Sequence, residues 1–446
     1  MRTLRRSRVL AAALPIVAAA CGGSALQLSD VTPQSVPALE AERAQKPNDG
    51  MVATRLGVAY FRANQMPQAR AVLDTAVSRD PQNGIAAIYR GMTAESQGDF
   101  AAARTSYESF IGVAHSRELK STARQRLALV DRRELEYSAR QALAQESQVS
   151  QQPADANTVA VMPFGYTGSN PEIQPLTRGF AQLVVTDLSR SRQLRVLERE
   201  RMQAMLDEMR LSEQGRTDPA TAARSGRLLR AGRVVQGVLT DEQNTLRADA
   251  TVVQTSTSQV GEPARAADQL NRLFDMEKVL VLGLFQQMNI TLTDAERSAI
   301  NSRPTQSLQA FLAWSKGLEA EDRGDFVGAQ DFYNQAVRID PSFSAAAASS
   351  QTVSDIQQAS SQSVSDVDAI VAANAASEAG SGPEGGAQSS AIANGVENTN
   401  PSATPATNPG VEQNPQPQQD RKPSDVTNTT GIGGKTATIR FIIPRP

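Results

Sequence analysis

The stretch TVAVMPF, residues 158–164, is a short apolar run rich in β-branched side chains, and it ends at a Gly/Ser/Asn/Pro cluster. Such a run is typical of a buried strand. Apolar residues then recur at steps of three and four between 176 and 188, which predicts a helix packed on that strand. A second strand is predicted over QLRVLER, residues 193–199, and a second helix over the spaced methionines between 202 and 209.

A third helix and a hairpin complete this α/β module. Asp218 before Pro219 has the pattern of an N-cap followed by a first-position proline, and Gly232 is a predicted helix stop. The sequences RVVQGVL (233–239) and LRADATVVQT (246–255) flank a polar turn. They predict the two strands of a β-hairpin.

The order AVMPF, VLERERMQAMLDEM and DPATAARSGRLLRAGRVVQGVL resembles the periplasmic domain of the curli-secretion, or CsgG-like, lipoprotein family. The resemblance covers residues 158–257 and implies an envelope location and an assembly role without enzymatic activity. An apolar stripe from 270 to 288 predicts a long helix that covers one face of the sheet. We therefore predict a central CsgG-like α/β sandwich domain over residues 156–292.

The N-terminus has the pattern of a secretory signal peptide over residues 1–21. Four arginines precede an apolar run that is too short to span a bilayer, and Cys21, the only cysteine, follows it. The sequence AAAC resembles a bacterial lipobox, although that motif prefers Leu where Ala18 stands. We predict a lipid anchor at Cys21, an outer membrane location because Gly22 is not Asp, and a polar tether over residues 22–49.

A helical repeat follows over residues 50–148, since Gly91 and Ala103 lie 34 residues after Gly57 and Ala69. The pattern resembles the tetratricopeptide repeat (TPR), and a single TPR-like hairpin is predicted over residues 293–345. The residues predicted to pack the paired helices are Gly57, Tyr60, Ala69, Pro81, Gly91, Ala103, Tyr107, Gly317, Ala329, Tyr333, Ala336 and Pro341.

The hairpin at 293–345 stands alone and cannot be stable by itself. It is predicted to pack on the α/β module, on the first two repeats or on a neighbouring subunit. Trp314, the only tryptophan, lies on its first helix at a packing position and is predicted to belong to the core. A helix predicted over 118–145 caps the first two repeats.

Composition changes abruptly after the third repeat. Residues 346–435 are rich in Ser, Ala, Gln, Asn, Pro and Gly, and no aromatic residue stands between Phe343 and Phe441. Such a segment is predicted to be disordered, apart from a weak helix near 353–371. The terminal segment TATIRFIIPRP, residues 436–446, is strand-like and needs a sheet edge, either in this chain or in a partner.

The sequence contains no recognisable catalytic, cofactor-binding or metal-binding constellation. GIGGKT (431–436) lacks the first glycine of a phosphate-binding loop, because Thr429 stands there. His115 is the only histidine, which excludes histidine-cluster metal sites. The charged run 198–201 predicts a solvated helix start rather than a binding site. A net charge of -2 and 4% aromatic residues do not favour nucleic-acid binding.

These patterns predict an α+β protein: N-terminal TPR hairpins, a central CsgG-like domain, one C-terminal TPR-like hairpin and a disordered tail. The predicted function is that of a non-enzymatic bacterial envelope lipoprotein, which binds protein partners through its TPR surface in assembly or secretion at the outer membrane and faces the periplasm. Two alternatives stay open: an oligomeric secretion channel whose hairpin at 233–257 enters the membrane, and a regulator of a periplasmic cell-wall enzyme. Homo-oligomerisation is also left open.

Overall fold

A computed structural model describes residues 28–210, 218–242 and 245–379, with the backbone alone over 376–379. Cys21, residues 380–435 of the predicted disordered tail and the segment 436–446 lie outside these residues. The N-terminal part is helical and consists of α1 (Val36–Gln45), α2 (Gly50–Arg62), α3 (Met66–Arg79), α4 (Gly84–Ser96), α5 (Phe100–Val113), α6 (Arg117–Ala144) and the single turn α7 (Glu146–Val149).

The helices α2 to α5 form two hairpins that pack closely because glycines face large side chains. A Cβ atom on Gly57 would lie 2.6 Å from the side chain of Leu73, and one on Gly91 would lie 2.7 Å from the ring of Tyr107. Both larger side chains are fully buried. Any side chain at these glycines would overpack the hairpin core.

The central domain contains a six-stranded sheet of β1 (Asp155–Val161), β2 (Gly165–Tyr166), β3 (Arg195–Val196), β4 (Ala231–Glu242), β5 (Thr245–Gln254) and β6 (Ala264–Gln269). Its order is β3-β1-β4-β5-β6, and β2 also pairs with β4. The strands β3 and β4 run parallel to β1, whereas β4, β5 and β6 are successively antiparallel. The hairpin predicted from the sequence is therefore the pair β4–β5, and β6 is an additional strand.

Helices cover both faces of this sheet: α8 (Leu176–Leu188), α9 (Arg199–Glu208), α10 (Pro219–Leu228) and α11 (Leu273–Gln287). Val159 and Val161 belong to the core that contains residues of α8 and α11, whereas Ala160 and Met162 belong to the core that contains residues of α9 and α10. Alternate side chains of one strand point to opposite faces. This domain and the TPR hairpins confirm the predicted α+β class.

Two local predictions for this domain are wrong. The strand predicted over 193–199 is short, because only Arg195–Val196 pairs with β1 and α9 already begins at Arg199. Gly232 does not stop a helix but lies in β4, where a Cβ atom would come 2.5 Å from the carbonyl oxygen of Asp155. The preceding helix ends earlier, and Arg230 takes the positive φ of 56° after it.

The C-terminal part of the described chain contains α12 (Asp294–Ile300), α13 (Leu308–Asp322), α14 (Phe326–Ile339), α15 (Ser344–Ser361) and α16 (Val364–Ala379). The hairpin α13–α14 packs on α8, and α15 packs between α14 and α6. Of the three supports considered from the sequence, the third hairpin thus uses the central domain directly and the N-terminal TPR array through α15. Trp314 is 4% exposed, and its Nε1 donates to Ser349 at 3.1 Å.

The prediction of a disordered segment from residue 346 is wrong over its described part, because α15 and α16 are ordered helices; the weak helix predicted near 353–371 overlaps the end of α15 and the start of α16. Ala346, Val353, Ile356 and Ala359 on α15 are buried. On α16, Val367, Val371 and Ala375 are buried. An apolar stripe along one side of each helix is sufficient here, since each helix packs on a surface that already exists.

The polar tether predicted over 22–49 is wrong where the chain forms α1. Val36 and Leu39 are buried on that helix, and α1 packs on α2. Leu28 and Val31, just before it, are each 1% exposed. Within the described residues, no helix combines the length and apolarity needed to cross a membrane.

Candidate protein interaction site

The helix α16 lies against α2 and α4, which are the first helices of the two N-terminal hairpins, and against α6. It packs on α4 and α6, and its Asp368 reaches Arg62 of α2. Val367, Val371 and Ala375 are spaced four residues apart, so they share one side of α16, and they are buried in the same core as the TPR side chains. We call the surface of α2, α4 and α6 that α16 covers the docking face.

Arg62, the last residue of α2, makes the main polar contact of the docking face. Its Nε lies 3.0 Å from Oδ2 of Asp368, and its Nη2 lies 3.0 Å from Oδ1. The hydroxyl of Tyr89 on α4 donates to the same carboxylate at 2.5 Å. Nη1 of Arg62 donates to the carbonyl oxygens of Leu28, at 2.7 Å, and of Val31. Bidentate arginine–carboxylate pairs fix geometry as well as adding energy, so Asp368 sets the position of α16.

A buried ion pair inside the TPR array joins α4 to α6. Glu95 and Arg126 have side chains that are only 1% and 3% exposed. The hydroxyl of Tyr107 donates to Glu95 at 2.8 Å, and burial raises the pKa of that hydroxyl well above its usual value. Nη1 of Arg126 also donates to the carbonyl oxygens of Ala359, at 2.9 Å, and Gln362, at 3.0 Å. Arg126 therefore holds the end of α15, immediately before α16.

A second buried network joins the central domain to the C-terminal hairpin. Arg199, the first residue of α9, is 4% exposed and forms an ion pair with Asp322 at the end of α13. Arg178 on α8 approaches the other oxygen of that carboxylate, with Nε and Oδ2 3.1 Å apart. Glu321 lies 3.9 Å from Arg199 and accepts from the hydroxyl of Tyr333 at 2.5 Å. The prediction of a solvated helix start is wrong at Arg199, because two carboxylates of α13 enclose it.

The two networks are built on the same pair of repeat positions, a glutamate and a tyrosine. Tyr333 and Glu321 occupy the positions in the third repeat that Tyr107 and Glu95 occupy in the second. In the second repeat the glutamate is neutralised by Arg126 of α6. In the third repeat the arginine comes from the central domain. A glutamate at the same place in two repeats is the sequence signal that could have indicated both networks.

A cleft of about 610 Å³ lies where α6, α9, α13 and α15 meet. Its walls carry the buried network and additional carboxylates. Burial raises the pKa of Glu198 and of Glu321 above the usual carboxyl range. The cleft is lined by Asp131, Glu136, Glu198, Glu200, Asp207 and Glu208 together with Arg132, Arg140 and Arg199. The cleft lies at the junction of the TPR array, the central domain and the C-terminal hairpin.

A third group of buried charges lies between α8 and α11. Lys278 forms an ion pair with Asp187, and its Nζ lies 2.9 Å from Oε2 of Glu277. Glu277 is fully buried, so the group holds two carboxyls and one ammonium away from water. Desolvation, followed by the charge of Asp187, raises the pKa of Glu277 to about 8. The raised pKa favours the protonated form of Glu277 in the folded protein.

We expect this group to make the protein less stable as pH rises above about 5. Between the pKa of an unfolded glutamate, about 4.3, and the raised pKa of Glu277, the folded state binds more protons than the unfolded state. The free energy of unfolding must then fall with increasing pH, by up to about 1.4 kcal/mol per pH unit. Urea unfolding of wild type and Glu277→Gln between pH 5 and 9 measures this.

The variant Glu277→Gln should show a flatter dependence over that pH range, since Gln cannot lose the proton. Glu262→Gln, at an exposed position of the same domain, is the matched control and should follow the wild type. Equal slopes for wild type and Glu277→Gln would show that Glu277 is not the titrating group.

Most of the predicted packing residues are buried between the paired helices, whereas the two prolines are exposed in turns. In the first two repeats, Gly57, Ala69, Gly91, Ala103 and Tyr107 are buried, and in the third Gly317, Ala329, Tyr333 and Ala336 are buried. A Cβ on Gly317 would meet the ring of Tyr333 at 2.4 Å. Tyr60 is 8% exposed and donates to Glu40 at 2.5 Å. Pro81 and Pro341 are exposed in the turns that follow α3 and α14.

Candidates for chemistry are sparse in the part of the chain that the structure describes. His115 lies in the loop between α5 and α6. Across residues 28–210, 218–242 and 245–379, no group of three His, Cys, Asp or Glu side chains could hold a metal ion. The docking face on α2, α4 and α6, with its arginine–carboxylate contact, is the candidate functional site.

Comparison with known proteins agrees with the two parts of this fold. Residues 140–261 match the family model described as curli production assembly/transport component CsgG. Residues 24–84 and 54–116 match the tetratricopeptide repeat model. No curated protein matches the chain. Among solved structures, the LpoB C-terminal domain from Salmonella enterica is similar at 11% identity, with 29% of this chain and 94% of that chain covered and a TM-score of 0.23.

The chain thus contains TPR repeats and a CsgG-like domain, and the resemblance of these two parts to the two families is confirmed. The CsgG match begins within α6, so the long helix belongs to both parts. The TPR match includes the first two hairpins and the segment before them, which the tether prediction had treated as unstructured. Neither matched family is a family of enzymes.

Proposed function

We propose that this protein is a non-enzymatic lipoprotein of the cell envelope that acts as a protein-interaction scaffold in assembly or secretion. The TPR array binds partner proteins, and a lipid anchor at Cys21 attaches the chain to the outer membrane, from which it faces the periplasm. The family match to an assembly/transport component supports the envelope role. TPR arrays present extended surfaces to partners, which supports the binding role.

The observation that carries this proposal is the way in which the parts are joined. Arg126 connects the TPR array to α15, and Arg199 connects the central domain to the C-terminal hairpin. Both arginines are almost completely buried. A partner bound on the docking face would therefore be held in a fixed relation to the CsgG-like domain, as a scaffold requires.

The pairing of the hairpin β4–β5 supports a scaffold rather than a channel. One side of β4 pairs with β1 and the other with β5, and β5 pairs on its far side with β6. Val235 and Val252 of the hairpin are buried under the helices of the domain. Entry into a membrane would require these pairings and this cover to be given up.

The test is the mass of the full-length, detergent-extracted protein by light scattering, together with conductance in a planar bilayer. We expect a monomer or a small homo-oligomer without conductance. A large ring with stable conductance would overturn the scaffold function and make the protein a channel.

The variant Cys21→Ser is the control for the anchor. It should be released from cells without detergent and should have the same mass, after correction for bound detergent, as the wild-type protein. A variant that still requires detergent would disprove the anchor at Cys21 without affecting the scaffold function.

A further inference from the structure

The docking face has a polar site that accepts a single carboxylate. Arg62 and Tyr89 come from different helices, and both direct hydrogen-bond donors at Asp368. The side chain of Arg62 is only 15% exposed, and Tyr89 is fully buried. A buried cation without a counter-charge is strongly unfavourable, so any occupant of this site must bring an anionic group.

The segment that now occupies the site packs on the docking face through one side of α16, where Val364, Ile370 and Ala372 are also partly buried against the TPR core. Of the described side chains of α16, only Val367, Val371 and Ala375 are buried. The opposite side of the helix is exposed at Asp366, Ala369 and Ala373. Most of the stability of a protein helix comes from packing of its apolar face, so α16 depends on the docking face for its structure, whereas the docking face has its own TPR core.

The connection between α15 and α16 is short, and Arg126 holds its first residue. Only residues 362 and 363 separate the two helices. Arg126 holds the carbonyl oxygens of Ala359 and Gln362, which fixes the end of α15 in place. A change of backbone direction at residue 363 would release α16, and loss of α16 would expose Arg62, Tyr89 and the apolar surface beside them.

We infer that the docking face is a binding site for a helix of a partner protein. That helix has the same chemistry as α16, and α16 competes with it for the site. The partner helix carries a carboxylate residue with an aliphatic residue one position before it and small or aliphatic residues three and seven positions after it. These are the relative positions of Val367, Asp368, Val371 and Ala375. In the free protein α16 occupies the docking face. A partner helix binds only if it has the matching residues, and its binding displaces α16.

This inference rests on the proposed role of the TPR array in binding proteins. Its probe is a labelled synthetic peptide of residues 362–379, and its receptor is the full chain. If the peptide binds as predicted but the protein forms a large conducting ring, the binding site is supported and the scaffold function is disproved. If the peptide does not bind, the inference fails while the scaffold test is unaffected.

Fluorescence anisotropy of the peptide measures the competition. The wild-type chain should bind it weakly, because its own α16 is present at high effective concentration. Asp368→Asn in the chain weakens the internal helix and should tighten peptide binding by about tenfold, as loss of a charged hydrogen-bond partner implies. Glu262→Gln removes a charge at an exposed position of the central domain, outside α16, and should leave binding at the wild-type level.

The carboxylate requirement is tested on the peptide, which avoids any effect on folding of the chain. A peptide with Asn in place of Asp368 should bind the Asp368→Asn chain at least about tenfold more weakly than the natural peptide. Equal affinity of the two peptides would overturn the carboxylate site. Equal affinity of the natural peptide for the wild-type and Asp368→Asn chains would overturn the role of α16 as competitor.

Hydrogen exchange of the full chain provides a second measurement. Amides of α16 should exchange by local opening, faster than those of α4, and Asp368→Asn should speed exchange in α16 without changing that of α4. Exchange of α16 only at the rate of α4 would mean that the helix never leaves, which overturns the inference. A wild-type dimer that Asp368→Asn abolishes would assign the site to a second copy's α16 and would overturn the assignment to a different protein.

Discussion

Replacing Arg199 with Met should reduce the free energy of unfolding by about 3–5 kcal/mol, as expected when one partner is removed from a buried ion pair. The reason is that Asp322 and Glu321 remain in place after the substitution. The side chain of Asp322 is 7% exposed and that of Glu321 is 14% exposed, so water cannot replace the guanidinium. Arg178 would remain beside Asp322.

Urea unfolding followed by the fluorescence of Trp314 measures this effect, because the only tryptophan is buried on the same helix as both carboxylates. The matched control is Arg323→Met, which removes a neighbouring arginine whose side chain is 59% exposed and lies 3.3 Å from Glu319. Exposed pairs contribute little, so this variant should stay within about 0.5 kcal/mol of wild type. Similar losses in both variants would contradict the assignment of a special role to Arg199.

Local patterns in the sequence were sufficient to predict much of this fold. The period of 34 residues located the helical hairpins, and the β-branched run at 158–164 with the hairpin at 233–255 located the sheet. These signals are strong because each depends on residues close together in the chain. The repeat glycines belong to the same class, since each opposes a side chain of its own hairpin.

The buried arginines could not be predicted in this way, because their partners lie far along the chain. Arg199 meets Asp322, and Arg62 meets Asp368, and nothing local distinguishes these arginines from solvated ones. The helices α15 and α16 are predicted from the sequence only as one weak helix near 353–371, for a related reason. Their compositions are those of disordered segments, and their few apolar residues stabilise a helix only on a surface supplied by distant residues.

Replacing Arg126 with Met should also reduce the free energy of unfolding by about 3–5 kcal/mol, since Glu95 would be left without its buried partner. The substitution further removes the donor that holds the carbonyl oxygens of Ala359 and Gln362. Thermal unfolding followed by circular dichroism measures the loss of stability. Hydrogen exchange should show a second effect, faster exchange at the end of α15 than in α4.

Arg133 provides the matched control, because it contacts the same carboxylate from outside. Its Nη1 lies 3.1 Å from Oε1 of Glu95, but its side chain is 44% exposed. Arg133→Met should therefore reduce stability by less than about 1 kcal/mol. Arg126→Lys should not restore the wild-type stability, because a single ammonium cannot reproduce the planar donor set that contacts Glu95 and two carbonyl oxygens together. Equal losses in the free energy of unfolding for Arg126→Met and Arg133→Met would show that burial does not distinguish the two arginines. Arg126 would then not be the link between the TPR array and α15.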